Sequence, residues 1–172
     1  MEAKDKIKKI DELLLILTKL KVDGNIIVTT NGSFDLLHKA HVHLLEKAKN
    51  LGSILIVLLN SDNSVRKNKE KEGKKSIRPY IDQNDRAYVI AGLESVNYVV
   101  IFDNEKPLEY LSLIKPNKHI KGGSGVIERY KEEKEFIENL GGEYIVMPLE
   151  EGYSSTNVEQ IILEKNKFLL ET

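Results

Sequence analysis

The hydrophobic period of the chain changes repeatedly between the spacing of a helix and that of a buried strand. Ile7, Ile10, Leu13, Leu14 and Leu17 recur three and four residues apart, which predicts one amphipathic helix over about residues 3–20. Residues 26–30 form a short apolar run expected as a strand, and 40–50 read as a helix ending near Leu51 and Gly52. Residues 54–59 are apolar without interruption, too apolar for a strand with one wet face. Residues 61–78 are polar and rich in lysine, so a mobile loop is expected there, with a short helix at its start. A helix over 82–93, a strand over 98–102 and a helix over 107–114 follow, the last with Pro107 in its first turn. Residues 118–120 predict a short strand, and 127–140 a charged helix closed by Gly141 and Gly142 as a C-cap and turn. The chain ends in a strand over 143–147 and a helix over 155–170.

Alternating strands and helices predict an α/β fold: a Rossmann-like open parallel sheet of about five strands with helices on both faces, plus an N-terminal helix. No repeat or linker divides the chain, so residues 1–172 are expected as one domain, with 1–22 packing on it. Ligands of such sheets bind beyond the carboxyl ends of the strands, where strand order reverses. Residues 30–41 and the segments starting at Asn60, Ile120 and Met147 are therefore the places to look for chemistry.

Composition narrows the classes. Twenty-six basic residues against 27 acidic ones give a net charge of −1, which argues against binding nucleic acid through a general positive field. The chain has no cysteine, so thiolate metal sites and cysteine nucleophiles are excluded. The apolar stretch from Leu13 to Leu17 is too short to span a membrane and follows Asp11 and Glu12, unlike a signal segment. A cytoplasmic protein that does not bind membranes is expected.

The strongest chemical signal is Thr30-Asn31-Gly32-Ser33-Phe34-Asp35-Leu36-Leu37-His38-Lys39-Ala40-His41, running from the end of the first buried strand into a helix. Gly32 permits a tight backbone path, and the N–H groups of the turn and helix start suit phosphate oxygens. His38 and His41, spaced i and i+3, share a face if both lie in the first turn. Without a nearby carboxylate or third histidine they make a poor metal site, but a good clamp for charge developing on phosphate.

This segment resembles the HxGH nucleotidyltransferase superfamily, in its cytidylyltransferase-like branch. Further pieces agree in order: Asn60-Ser61-Asp62-Asn63-Ser64-Val65-Arg66, Arg78-Pro79, Asp85-Arg86, Leu93 to Val100, Lys121-Gly122-Gly123, and Glu151 to Thr156. Within the branch the likeness is greatest to adenylyltransferase domains that make ADP-heptose from ATP and heptose 1-phosphate. It implies that His38 and His41 contact the triphosphate and stabilise the transition state, with Arg66 and Lys69 reaching phosphates from the mobile loop. It implies nucleotide contacts from Asn31, Gly32, Ser33, Phe34 and Asp35, from Lys121, Gly122 and Gly123, and from Ser154, Ser155 and Thr156. Asn60, Ser61, Asp62 and Arg86 would lie near the acceptor, Arg86 alternatively pairing with Asp82 or Asp85. Mg²⁺ would be held mainly by the phosphates, with Asp35 as the protein carboxylate closest to it. The resemblance is compatible with a homodimer.

Ala40 stands where the branch has glycine, and Ser124-Gly125 follow Lys-Gly-Gly in place of Asp-Tyr. The kinase that often accompanies the heptose enzymes is expected as a separate protein. Two other readings remain open on the sequence: a CTP-dependent cytidylyltransferase for glycerol 3-phosphate or a similar alcohol, and a nucleotide-binding regulator without turnover. No GxGxxG follows a strand, which sets aside a dinucleotide-dependent redox enzyme.

Overall fold

Strand β1 (Ile27–Gly32) lies at the centre of a sheet whose neighbours all run parallel to it. In the computed structural model, which describes residues 1–71, 77–123, 127–148 and 155–170, the strand order is β3-β2-β1-β4-β5. The other strands are β2 (Ile54–Asn60), β3 (Tyr98–Phe102), β4 (Lys118–Gly123) and β5 (Glu143–Pro148). Order therefore reverses between β1 and β4, and that crevice is the place for a ligand. The expected five-stranded parallel sheet is present, with β4 twice as long as the pattern predicted because Lys121 to Gly123 continue its pairing with β5.

Each face of the sheet is covered. Helices α3 (Lys39–Lys49) and α5 (Gln83–Ala91) enclose one core with Val28, Leu55, Val57, Leu59 and Val99. Helices α2 (Ile10–Val22), α6 (Leu108–Ile114) and α7 (Ile127–Asn139) enclose the other with Ile27, Ile56, Leu58 and Val100. Alternate residues of β2 feed opposite cores, which is why its sequence carries no polar face.

The N-terminal segment departs from the single helix expected over 3–20. It forms α1 (Ala3–Lys6) and α2, separated where Ile7 bridges to Val99 in parallel and Lys8 N–H donates to the Val99 carbonyl at 2.9 Å. The cause is the exposed backbone of edge strand β3, which takes the Lys8 N–H that a continuous helix would keep for itself. The chain thus crosses the sheet edge, with Ala3 and Ile7 on one core and Leu13 and Leu17 buried in the other. Leu13→Ala is expected to lower unfolding free energy by about 2–5 kcal/mol in urea denaturation, the usual cost of a core truncation.

The 61–78 segment also departs from expectation, because α4 (Asp62–Lys71) is a ten-residue helix rather than mostly loop. Ser61 caps it: its Oγ accepts the Ser64 N–H at 3.0 Å. Pro107 stands at the N-cap of α6, one place before the first turn. The glycine pair after α7 behaves as predicted. Gly141, at φ +81°, and Gly142 donate their N–H groups to Glu138 and Ile137, closing a Schellman turn. A Cβ on Gly142 would come within 2.7 Å of the Pro116 carbonyl. Helix α8 (Ser155–Leu170) is the last element.

A polar layer interrupts the α7 side of the sheet. His119 of β4 is fully buried between Thr29 and Tyr144, its register partners on β1 and β5. Its Nδ1 meets Thr29 Oγ1 at 2.8 Å, and its Nε2 lies 3.9 Å from the Glu133 carboxylate of α7. Burial pushes the His119 imidazole down to about 4, more than the Glu133 charge pulls it up. The folded protein therefore excludes a proton that the unfolded chain accepts near 6.5, so His119 costs no stability above that pH. As pH falls from 6.5 towards 4, this site draws the equilibrium towards the unfolded state. Urea denaturation at pH 7.5, 6 and 5 is expected to show stability falling across the series. His119→Gln should flatten that fall.

Candidate active site

The turn after β1 is held in an unusual shape by one ring. Phe34 has φ +45°, a left-handed conformation that costs a residue with a Cβ about 1 kcal/mol. Its buried side chain packs into the α3 core and lies 5.2 Å from the His41 ring, centroid to centroid. A Cβ on Gly32 would meet the Phe34 ring at 3.0 Å, so the glycine makes room for this fold-back. The turn delivers the chain to α3 with His38 as N-cap and His41 in the first turn.

The two histidines come together as their spacing predicted. Their rings stack with centroids 3.8 Å apart and planes 21° from parallel. His38 makes no side-chain cap bond, so the first N–H groups of α3 have no cap from its side chain. His38 Nδ1 and His41 Nδ1 are both shut off from solvent, with no hydrogen-bond partner among the described residues. Burial lowers the His38 imidazole below its ordinary value. Burial and then the neighbouring His38 ring push His41 down to about 4, with the Leu36 backbone opposing in part. At neutral pH the pair is two uncharged imidazoles at a helix N-terminus, whose positive end favours an anion.

Several residues expected at the ligand serve the scaffold instead. Asp35 is 1% exposed, with Oδ1 accepting the N–H groups of Tyr80 and Ile81 at 2.8 and 3.1 Å. Its Oδ2 lies 3.9 Å from the Arg78 guanidinium. The carboxylate thus anchors residues 78–81 from inside the protein. Arg86, expected near the acceptor, is buried as well. It donates to the Ile81 carbonyl at 2.9 Å, to the Ser33 carbonyl, and to Asp62 Oδ1 at 2.7 Å. Its carboxylate partner is thus Asp62, neither Asp82 nor Asp85: Asp82 accepts from the N–H groups of Asn84 and Asp85 as the cap of α5.

The end of β2 is similarly engaged. Asn60 donates to Ser64 Oγ at 2.8 Å, and Ser61 Oγ bonds Asp103 at the end of β3. Asn63 reaches the same carboxylate at 3.2 Å, and these hydrogen bonds hold Asp103 below the usual carboxylate range. Arg66 and Lys69 sit one turn apart on α4, not on a loop. Arg66 is exposed and Lys69 half-buried.

At the other side of the crevice, Lys121 Nζ donates to Asn31 Oδ1 at 2.7 Å, joining the ends of β4 and β1. Gly122 follows in β4. Gly123 was expected to admit a nucleoside, but a Cβ there would overlap the Tyr130 ring of α7, so its missing side chain admits that ring. Ser155 and Thr156 open α8, and Ser154 lies outside the described residues. Glu159, one turn on, is bound by Arg78 at 2.6 Å and by the Tyr80 hydroxyl. These contacts, with the Asp35 anchor, tie the start of α8 to the turn after β1. Among the described residues no three histidine or carboxylate side chains converge as a metal-binding group, and no helix is long and apolar enough to cross a membrane.

His119, Glu133, Asp103 and Glu159 were not singled out from the sequence. Glu133 alone carried a legible signal: it lies three residues after Tyr130 and four before Ile137, on the apolar stripe of α7. A charge at such a position is buried and needs partners.

Known proteins resemble this chain in sequence and in fold. A bifunctional protein HldE of Pelobacter propionicus is 40% identical over 168 residues, 95% of this chain and 32% of the relative. A bifunctional protein HldE of Geobacter metallireducens is 43% identical over 162 residues, 92% of this chain and 31% of the relative. The chain thus spans about a third of the length of these relatives. The crystal structure of the lipopolysaccharide core biosynthesis protein from Thermoplasma volcanium superposes with TM-score 0.60 at 27% identity, covering 76% of this chain and all of that one. A pantoate-beta-alanine ligase from Francisella tularensis shares the fold at TM-score 0.61 and 16% identity, over 89% of this chain and 75% of the ligase. Residues 29–161 match the Cytidylyltransferase-like family, and the chain, with its stacked histidine pair at the head of α3, belongs to that family of nucleotidyltransferases.

Proposed function

We propose that the protein transfers the adenylyl group of ATP to a sugar 1-phosphate, heptose 1-phosphate, forming ADP-heptose and pyrophosphate. The observation that carries the transfer is the neutral, stacked His38–His41 pair at the N-terminus of α3, beside the crevice between β1 and β4. The choice of ATP and heptose phosphate rests on the ordered motifs from Asn60 to Thr156. It also fits relatives that are bifunctional and of which this chain spans one third.

An acceptor phosphate oxygen attacks the α-phosphorus. The bond from that phosphorus to the bridging oxygen breaks, and pyrophosphate leaves with the electron pair. The attacking oxygen is already anionic, so no general base is required. Alignment and stabilisation of the charge on the phosphate oxygens are what the protein must supply. His38 and His41 donate ring N–H groups to those oxygens, and the first N–H groups of α3 add to the field. Lys121 supplies a cation at the opposite wall of the crevice, and Ser155 and Thr156 place the start of α8 towards the departing phosphates. Arg66 and Lys69 extend the positive surface along α4. Mg²⁺ bound with the triphosphate would be held mainly by the phosphate oxygens and would offset their charge, since this strongly hydrated ion commonly takes few protein ligands. The acceptor lies over the ends of β2 and β3, near Asn60, Ser61, Asp62 and Asp103.

His38→Ala and His41→Ala are each expected to lower kcat by about 10²–10³-fold, the size typical of losing one transition-state donor. Unchanged turnover in both variants would remove these residues from the mechanism. Pyrophosphate release, measured for ATP, CTP, GTP and UTP with Mg²⁺ against heptose 1-phosphate, other sugar 1-phosphates and glycerol 3-phosphate, tests the substrates. The largest kcat/KM is expected for ATP with heptose 1-phosphate. A preference for CTP with glycerol 3-phosphate would overturn the assignment, and no release with any pair would overturn turnover itself.

A further inference from the structure

Glu133 and His119 take no part in the chemistry above, yet both are buried on the α7 face, away from the histidine pair. Burial alone would raise the Glu133 carboxyl. The Lys121 charge, the His119 ring and the Tyr144 hydroxyl outweigh that and hold it below its ordinary value, so it is an anion at neutral pH. Tyr144 donates to Glu133 Oε2 at 2.9 Å, and Lys121 Nζ lies 3.3 Å from the same oxygen. The Lys121 ammonium also bonds Asn31 at 2.7 Å and stands 6.0 Å from the centre of the Tyr130 ring. Its side chain keeps 20% exposure, whereas that of Glu133 keeps 9%. The lysine thus has its ammonium held between Glu133 of α7 and Asn31 at the end of β1, with part of the side chain still exposed.

A flexible lysine gains affinity for an anion when its head is already placed, because binding then orders less of the side chain. A buried carboxylate behind it supplies that placement and a strong reason for the sheet to tolerate the charge.

We propose that Glu133 is a positioning residue for nucleotide binding: from the interior of the α7 face it holds the Lys121 ammonium at the β1–β4 crevice, against Asn31, where it meets a nucleoside triphosphate. The inference deepens the proposed reaction and rests on it for the ligand. Glu133 touches no substrate and acts through Lys121. Tyr144 fixes the carboxylate from β5, so three strands and α7 join in setting one cation.

Calorimetric titration with ATP and Mg²⁺, together with kcat and KM for ATP, tests the placement in the full chain. Glu133→Gln is expected to weaken ATP binding and raise KM by about 10-fold, the size of one charge-assisted hydrogen bond, with kcat changed by less than about 3-fold. Lys121→Met should weaken binding by at least as much. Adding Glu133→Gln to Lys121→Met should then change little, because the lysine it positions is gone. Losses that multiply in the double variant, or wild-type affinity in Glu133→Gln, would overturn the inference. Should Glu133→Gln fail to fold, Tyr144→Phe removes one hydrogen bond to Glu133 and keeps the ring; unchanged ATP affinity there would overturn it equally. A wild type that binds ATP but releases no pyrophosphate with any acceptor overturns the proposed reaction and leaves the effect of Glu133 on binding standing. A wild type that binds no nucleotide overturns both.

Discussion

The buried guanidinium of Arg86 joins three segments that the sheet alone would leave apart. From α5 it reaches the Ser33 carbonyl in the turn after β1, Asp62 at the head of α4, and the Ile81 carbonyl just before its own helix. A guanidinium offers donors in a planar fork, so one side chain can bind three acceptors in fixed directions; a lysine would not. Its full burial makes each acceptor necessary, since an unpaired buried charge is strongly destabilising. The loops around the crevice therefore inherit the rigidity of the core.

Asp35 does the complementary work with the opposite charge. It accepts two backbone N–H groups from residues 80 and 81 and faces Arg78, which in turn binds Glu159 on α8. The carboxylate and Arg86 thus link the turn after β1, the 78–81 segment and the helices α4, α5 and α8 into one frame. Within that frame the left-handed Phe34 is held by its buried ring, and the histidines of α3 stack in one arrangement. Preorganised donors of this kind need not move as charge develops on a phosphate.

The two faces of the sheet divide the labour. The α3 face is apolar behind the histidine pair, and its burial keeps both imidazoles neutral. The α7 face carries His119, Glu133, Tyr144 and Lys121, a polar layer that ends at the crevice. Gly123 belongs to this second system, because its bare Cα is what lets Tyr130 close over the end of β4.

The period of the hydrophobic residues was sufficient for the strands, most of the helices and the parallel sheet, because burial on two faces leaves a direct mark on sequence. The strand–turn–helix around His38 and His41 was legible for the same reason: its spacing is local, and one helical turn brings the rings together. Ile7 to Lys9 showed no break, since what breaks the helix is the edge of β3, some ninety residues away in sequence. Likewise, motif position singled out Asp35, Arg86 and Gly123 but not the direction in which each faces. Whether a charged or glycine position faces a ligand or the interior depends on partners such as Arg78, Asp62 and Tyr130, which come from other elements. Sequence spacing determined which residues gather at the strand ends; only long-range packing decided which of them hold the site and which are left to meet the ligand.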